Sequence, residues 1–455
     1  MLGVASRQNI RAAVRLNPGF RAAAYRKFAQ PTIRERSSMA VEDKPDPVSG
    51  MAPNEAIKEA NSAAATHKPV NAWQQPGPAC LDFRSDTMTT PTASMLDAII
   101  NTTLQDDVML EDPTTNNLEA YIAELTGHEA GLLVMSGTMG NQVALRTHLT
   151  QPPQSVLCDI RSHIYNYEAG GVSSLSSAMI IPVRPSNGHH LTLEDVKQYA
   201  ILSSDVHACP TRVISLENTL DGMIMPLAEV QRIARFARAH NIKLHLDGAR
   251  IWEAVSADAG SLPDFCTHFD SVSMCFSKGL GAPIGSIIVG SKPFIAHARR
   301  IRKMIGGGTR QAGVISAAAR VAVEEGFGRG PNGEGGKLRA SHTRAKKVAE
   351  MWTARGGNLA NPTETNMVWL DLAREGMSST EFAQLAAQQG LKAFSGRLVV
   401  HYQITDEAVE RLGRLMDAVL QKGRENGGAD GKADGLNTNG ERYGSKENAG
   451  STPQN

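Results

Sequence analysis

The chain of 455 residues carries 47 Lys or Arg against 46 Asp or Glu, a formal net charge of +1 that gives no electrostatic reason for a nucleic-acid partner. No apolar run approaches the ~20 residues that a membrane-crossing helix needs, so no membrane partner is expected. Cys80, Cys158, Cys209, Cys266 and Cys275 are scattered, odd in number and form no C-x-x-C, which argues for a reducing compartment and against a disulfide framework or a zinc site.

The two ends differ in kind from the middle. Residues 1–40 hold eight Arg or Lys and one acid, Glu35, and Arg11, Arg15 and Arg26 share one side of an Ala-rich helical pattern. Such a segment fits a mitochondrial presequence or a charge-biased disordered extension, so the expected compartment is cytoplasmic or mitochondrial. Residues 41–77 are polar, Pro- and Ala-rich linker, which makes 1–78 an N-terminal extension. From 423 to 455 the tail offers almost nothing to bury and is expected to be disordered. The folded part is expected to be a large domain over 79–325 and a smaller α+β domain over 326–422.

Residues 81–89 open that part as a polar loop, with Thr92 or Ser94 capping a helix patterned on Met95, Ile99 and Ile100. Asp106, Asp107, Glu111 and Asp112 crowd seven positions, yet an acidic turn before a helix over 116–125 accounts for them, and no metal is expected. Residues 131–135 form a buried strand. Ser136-Gly137-Thr138-Met139-Gly140-Asn141 then turns into a helix over 142–148, where small residues and the first helical N–H groups suit an anion. The third glycine of a dinucleotide fingerprint and the G-K-[ST] of a P-loop are both missing, so a single phosphate fits better.

A strand over 156–159 leads to His163, just past a strand end, where parallel α/β sheets place their ligands. A strand over 212–216 ends in Glu217-Asn218-Thr219. A helix over 226–240 follows, with Leu227, Val230, Ile233, Ala234 and Ala237 on one stripe, and then a strand over 242–246. This alternation predicts a mostly parallel sheet with helices on both faces.

The stretch 241–286 carries the most pointed chemistry. Two apolar runs each end in a polar turn: His245-Leu246-Asp247-Gly248-Ala249-Arg250 offers an acid and a guanidinium, and Ser277-Lys278-Gly279 offers one lysine. Strand ends delivering an Asp and a Lys suit pyridoxal 5'-phosphate, whose aldehyde a lysine attacks and whose ring nitrogen a carboxylate keeps protonated. A basic run at Arg299, Arg300, Arg302 and Lys303 reads as a solvated face. The triple glycine 306–308 before Thr309-Arg310-Gln311 instead suggests backbone brought close to a phosphate or a partner subunit. Residues 326–336 read as a flexible break, 342–354 as a helix, and the remainder as alternating strand and helix. Arg397 opens one of those strands, where its planar fork suits a carboxylate.

Taken together, D-F-R-S-D-T-M-T at 82–89, S-G-T-M-G-N-Q at 136–142, H-I-Y-N-Y-E-A-G-G at 163–171 and S-L-E-N-T at 215–219 resemble the L-threonine aldolase family. H-L-D-G-A-R at 245–250, S-K-G-L-G-A-P-I-G-S at 277–286 and K-M-I-G-G-G-T-R-Q at 303–311 extend the match across about 81–420. The resemblance implies the fold-type I architecture of pyridoxal phosphate enzymes and a homotetramer, or a homodimer, with sites at subunit interfaces. It implies Lys278 as the Schiff-base lysine, Asp247 as the partner of the pyridine nitrogen, and Gly137 and Thr138 as phosphate donors. His163 is implied to stack on the cofactor, and Ser85, Arg250 and Arg397 to hold the substrate carboxylate. It also implies His207 as a second active-site histidine and Arg310 as a group reaching a neighbouring subunit's phosphate.

Two positions depart from the family pattern. D-D-V-Y-G is here Asp106-Asp107-Val108-Met109-Leu110, and E-N-T-H-N-G continues after Thr219 as Leu220-Asp221. The implied reaction is cleavage of a β-hydroxy-α-amino acid such as L-threonine to glycine and an aldehyde, with His163, His207 or a water as base. The runner-up reading is an amino-acid racemase, known among fungal members, with which loss of the two polar groups is compatible. A scaffold that has lost catalysis is the reading from a different class.

Overall fold

The structure is a computed structural model that describes residues 76–425. The proposed presequence, most of the linker, and the tail beyond 425 lie outside the described residues. Seven strands form the main sheet: β1 Ala130–Val134, β2 Ser155–Asp159, β3 Met179–Val183, β4 Thr211–Glu217, β5 Lys243–Asp247, β6 Ser271–Cys275 and β7 Ser286–Gly290. Their order is β1-β7-β6-β5-β4-β2-β3, and only β7 runs antiparallel to its neighbours. The parallel pairing requires crossover connections, and the helices between the strands supply them.

The two faces of the sheet centre have opposite chemistry. Leu216, Leu246 and Val272 lie in register and join a large apolar core with Trp252 and Phe265. Full burial of each such side chain contributes about 1.5–3 kcal/mol. Helix Leu227–Ala239 covers this side through Val230, Ile233, Ala234 and Ala237, the stripe anticipated from its period. On the other face Ser215, His245 and Ser271 make one cross-strand row, and Glu217, Asp247 and Ser273 the next. Helix Gly137–His148 lies over these rows, so its own contact face carries polar groups, Asn141 and His148, that bond into them.

A second apolar cluster surrounds a three-stranded sheet of β10 Leu359–Asn361, β11 Met367–Leu370 and β12 Arg397–Val399, with helices Lys337–Thr353 and Asp406–Glu425 packed on it. Phe83, fully buried, belongs to this cluster. Its N–H bonds to Lys392 O at 2.8 Å and its carbonyl accepts from Val399 N at 2.8 Å. The start of the described residues is thereby stitched beside β12.

Several expectations need correcting. Residues 326–336 are an ordered turn and a two-residue ladder, β8 Gly328–Arg329 with β9 Glu334–Gly335, anchored by Leu262 N donating to Pro331 O at 3.0 Å. Of the basic run, Arg302 is buried, bonding Asp107 Oδ2 and Leu133 O at 2.6 Å each, and Arg299 pairs with Glu119. Those arginines satisfy buried acids instead of facing water. The acidic turn is structural: Asp112 caps helix Pro113–Thr126, and Asp106 pairs with Arg310. No helix among the described residues is long and apolar enough to cross a membrane.

Candidate active site

The carboxyl ends of β4, β5 and β6 converge beside the N-terminus of helix Gly137–His148. There Ser136 Oγ accepts from Met139 N at 3.1 Å, while the N–H groups of Gly137 and Thr138 have no acceptor within the helix. Gly137 is required by close approach, because a Cβ there would stand 2.7 Å from Cys275 Sγ at the end of β6. The turn thus lies directly on the strand that leads to Lys278. Lys278 itself is held by its carbonyl, which accepts from Thr89 Oγ1 and from Gly281 N at 2.9 Å each.

Asp247 is buried at the end of β5. Its Oδ2 accepts from Asn141 Nδ2 at 2.7 Å and its Oδ1 from Ala249 N at 3.1 Å. The same Asn141 Nδ2 donates to Glu168 Oε1 at 2.8 Å, and Glu168 also receives Gln142 Nε2 at 2.5 Å and His163 Nδ1 at 2.8 Å. His163, Glu168 and Asp247 therefore offer atoms within 4.8 Å of one another, a spacing suited to a metal, but here the Asn141 amide bridges the two carboxylates.

Behind this triad a relay runs into the core. His148 Nε2 and His245 Nδ1 each lie 2.8 Å from Ser271 Oγ, and His245 Nε2 lies 3.1 Å from Asn141 Oδ1. Since Asn141 Nδ2 faces carboxylates, its oxygen must accept, which places the proton of His245 on Nε2. Burial pushes His245 down to about 4 and His148 down to about 3, so both are neutral near pH 7.

A second cluster brings together Ser85, Arg250 and Arg397. Asp86 is fully buried and takes Arg250 through Nη2 at 2.5 Å and Nε at 2.8 Å. Burial alone would raise the Asp86 carboxyl, but the charge and hydrogen bonds of Arg250 outweigh it and hold it far below the usual range, with Lys278 and Arg397 adding to the effect. Arg397 Nη1 donates to Arg84 O at 3.2 Å, next to Ser85, whose Oγ caps the turn Asp86–Met88. Two arms of the Arg250 fork are thus engaged by Asp86, which makes Arg250 a braced group whose Nη1 alone is uncommitted to that pair.

His207, expected as a second active-site histidine, stands away from this chain's cluster, and Arg310, expected to reach a neighbouring subunit, lies on the surface. His207 is exposed, 2.8 Å from Asp205 Oδ1, in the loop that enters β4. That loop lines a cavity of about 490 Å³ with Pro153, Pro210 and Ile242, at the amino ends of the strands, opposite Asp247. Arg310 is also exposed and bonds Asp106 at 2.8 Å. Asp86, Asn141, Glu168 and Glu217 were not singled out as site residues. The available signal was spacing: Asn141 follows Gly137 by about one helical turn and so shares its face toward the sheet.

A family model described as beta-eliminating lyase matches residues 82–375. Aldolase vrtJ of Penicillium aethiopicum is 56% identical over 78% of this chain and 90% of its own length. Alanine racemase TOXG of Cochliobolus carbonum is 48% identical over 77% and 90%, and the low-specificity L-threonine aldolase of Eremothecium gossypii is 45% identical over 76% and 89%. Among solved structures, a putative L-allo-threonine aldolase from Listeria monocytogenes has a TM-score of 0.58 at 23% identity, covering 72% of this chain and 93% of that one. A serine palmitoyltransferase solved with PLP gives 0.58 at 17% identity, covering 83% and 98%. The fold is that of fold-type I enzymes, and the chain belongs to the beta-eliminating lyase family, alongside the low-specificity L-threonine aldolases.

Proposed function

We propose that the chain is a pyridoxal phosphate-dependent aldehyde-lyase that cleaves L-threonine and L-allo-threonine to glycine and acetaldehyde. The observation that carries this reading is the convergence of Asp247, Lys278 and the helix start at Gly137 on one sheet edge, with the Arg250–Asp86 pair and Arg397 beside it. The curated relatives named as threonine aldolases support the substrate, and the neighbour solved with PLP supports the cofactor.

The donor set fits that cofactor: helical N–H groups and the Thr138 hydroxyl for a phosphate, a buried carboxylate for a ring nitrogen, and a lysine amine for an aldehyde. When bound, pyridoxal phosphate supplies the electron sink for Cα–Cβ cleavage. Arg397 and Ser85 hold the substrate carboxylate, with Arg250 Nη1 at their side, and so fix which bond at Cα is aligned for cleavage. Glu168 engages His163 Nδ1, leaving Nε2 to take the β-hydroxyl proton. Arg310, exposed in one chain, serves a neighbouring subunit in the homotetramer or homodimer that this reading expects.

A racemase is the second reading, favoured by the apolar Leu220 and by the 48% identity to an alanine racemase. Proton NMR of the purified, cofactor-loaded protein with L-allo-threonine separates them. Equal amounts of glycine and acetaldehyde establish the aldolase. Absence of both, with conversion of L-alanine to D-alanine accompanied by α-proton exchange in heavy water, establishes the racemase. Retention of the lysine-bound cofactor's visible absorption by Lys278→Ala would show that another lysine holds it.

A further inference from the structure

Glu217 and Asp247 are register partners on neighbouring parallel strands. Their carboxyl groups therefore leave the same face of the sheet, with the strands ~4.8 Å apart. The protein treats the two acids differently. Asp247 receives N–H donors on both oxygens, from Asn141 and from Ala249. Glu217 receives one among the described residues, the backbone N–H of His163, at 2.9 Å on Oε2. Two carboxylates this close, Asp247 buried and Glu217 partly buried, cannot both keep their charge cheaply, and the one with fewer donors takes the proton.

We propose that Glu217 is the proton-holding member of an acid pair with Asp247, a neutral carboxyl that positions His163 through its backbone N–H and keeps a second negative charge away from Asp247. The inference rests on the reading of Asp247 given under Proposed function, and it makes Glu217 a positioning residue for the same site.

The surroundings agree. Burial, followed by the charge of Asp247, raises the Glu217 carboxyl well above the ordinary range, and the His163 N–H opposes this only in part. Asp221, beyond the end of its own strand, raises it further, while Lys278 after β6 lowers it. From the β2 side, the groups that face it are Cys158, Asp159 and Arg161. Beyond it lies a small pocket lined by His190, Leu191 and Leu220.

The sign of the consequence follows from linkage. A carboxyl whose folded pKa lies above its unfolded value binds a proton that the unfolded chain has released, so its presence costs stability progressively as pH rises through that interval. Glutamine copies the neutral acid in shape and does not titrate. The test is thermal unfolding of the full-length, cofactor-loaded protein and of Glu217→Gln between about pH 5 and pH 8.5, with the visible spectrum of the bound cofactor recorded alongside. The variant is expected to melt about 2 °C or more above the wild type near pH 8, the gain shrinking on acidification, with the cofactor band unchanged. A variant that melts lower near pH 8, with the deficit vanishing in acid, would show that Glu217 is ionised in the native protein and overturn the proposal. A pH-independent difference would overturn it too. Should Glu217→Gln fail to fold, Glu217→Ala reads the same carboxyl through the same pH-dependent difference. Melting is read without substrate, so absence of threonine cleavage with an intact pH signature refutes the aldolase reading alone.

Discussion

Arg250 and Asp86 meet through two hydrogen bonds, Nη2 to Oδ1 at 2.5 Å and Nε to Oδ2 at 2.8 Å, and this pair joins the loop after β5 to the turn at Asp86–Met88. Asp86→Ala leaves a buried guanidinium without its partner and is expected to destabilise the fold by about 3–5 kcal/mol, read by denaturant unfolding at pH 7. The folded pKa of Asp86 is depressed, so its stabilisation is present above the unfolded value of 3.8 and is lost as pH falls below it.

The relay His148–Ser271–His245–Asn141 predicts a different acid limb. Burial pushes both histidines down in the folded protein, to about 3 and about 4, from the ordinary histidine value of 6.5. The unfolded chain therefore binds protons first, and stability falls as pH drops from about 6.5 toward 4. His245→Gln is expected to flatten that limb, measured as the shift of the denaturant midpoint between pH 7 and pH 5. An unchanged slope would assign the limb to other groups.

Much of this was legible in the residues. The alternation of apolar strands with the helix at 227–239 specified the parallel sheet, and Asp247 and Lys278 stand where strand ends were expected. What sequence did not reveal was pairing across long separations. Arg302 reads as surface until Asp107 is brought beneath it, and Arg250 reads as an open clamp until Asp86 fills two arms of its fork. His207 was assigned by similarity of position, and strand direction carries its loop to the opposite edge.

Leu110 is exposed and adopts φ +61, at the position where the family pattern has glycine. A branched side chain in the left-handed region costs about 1–2 kcal/mol. Glycine relieves that strain and adds unfolded-state entropy worth about 0.5–1 kcal/mol in opposition. Leu110→Gly is expected to be neutral to stabilising by up to about 1 kcal/mol, checked by denaturant unfolding; a clear loss would mean the leucine side chain is buried in an assembly.

Arg397 lies at the start of β12, with Nη1 on Arg84 O and its guanidinium 5.9 Å from the Trp369 ring centroid. On the proposed function, Arg397→Lys removes a planar fork while keeping the charge. Steady-state kinetics with L-allo-threonine should show kcat/KM reduced by about tenfold or more. An unchanged kcat/KM would remove Arg397 from the carboxylate site.

The stitch between Phe83 and β12 also governs how the protein comes into being. Arg84 and Arg397, joined at 3.2 Å, are 313 positions apart in the chain. At 5–20 residues per second a ribosome needs roughly 15–60 s to make the second after the first. Lys278 and Asp247 leave the exit tunnel before Arg397, so on the proposed function a nascent chain has its cofactor-holding groups while Arg84 and Arg397 are still apart. Emergence of β12 is then the event that brings Arg397 to Arg84, and a fragment ending before β12 would lack that contact.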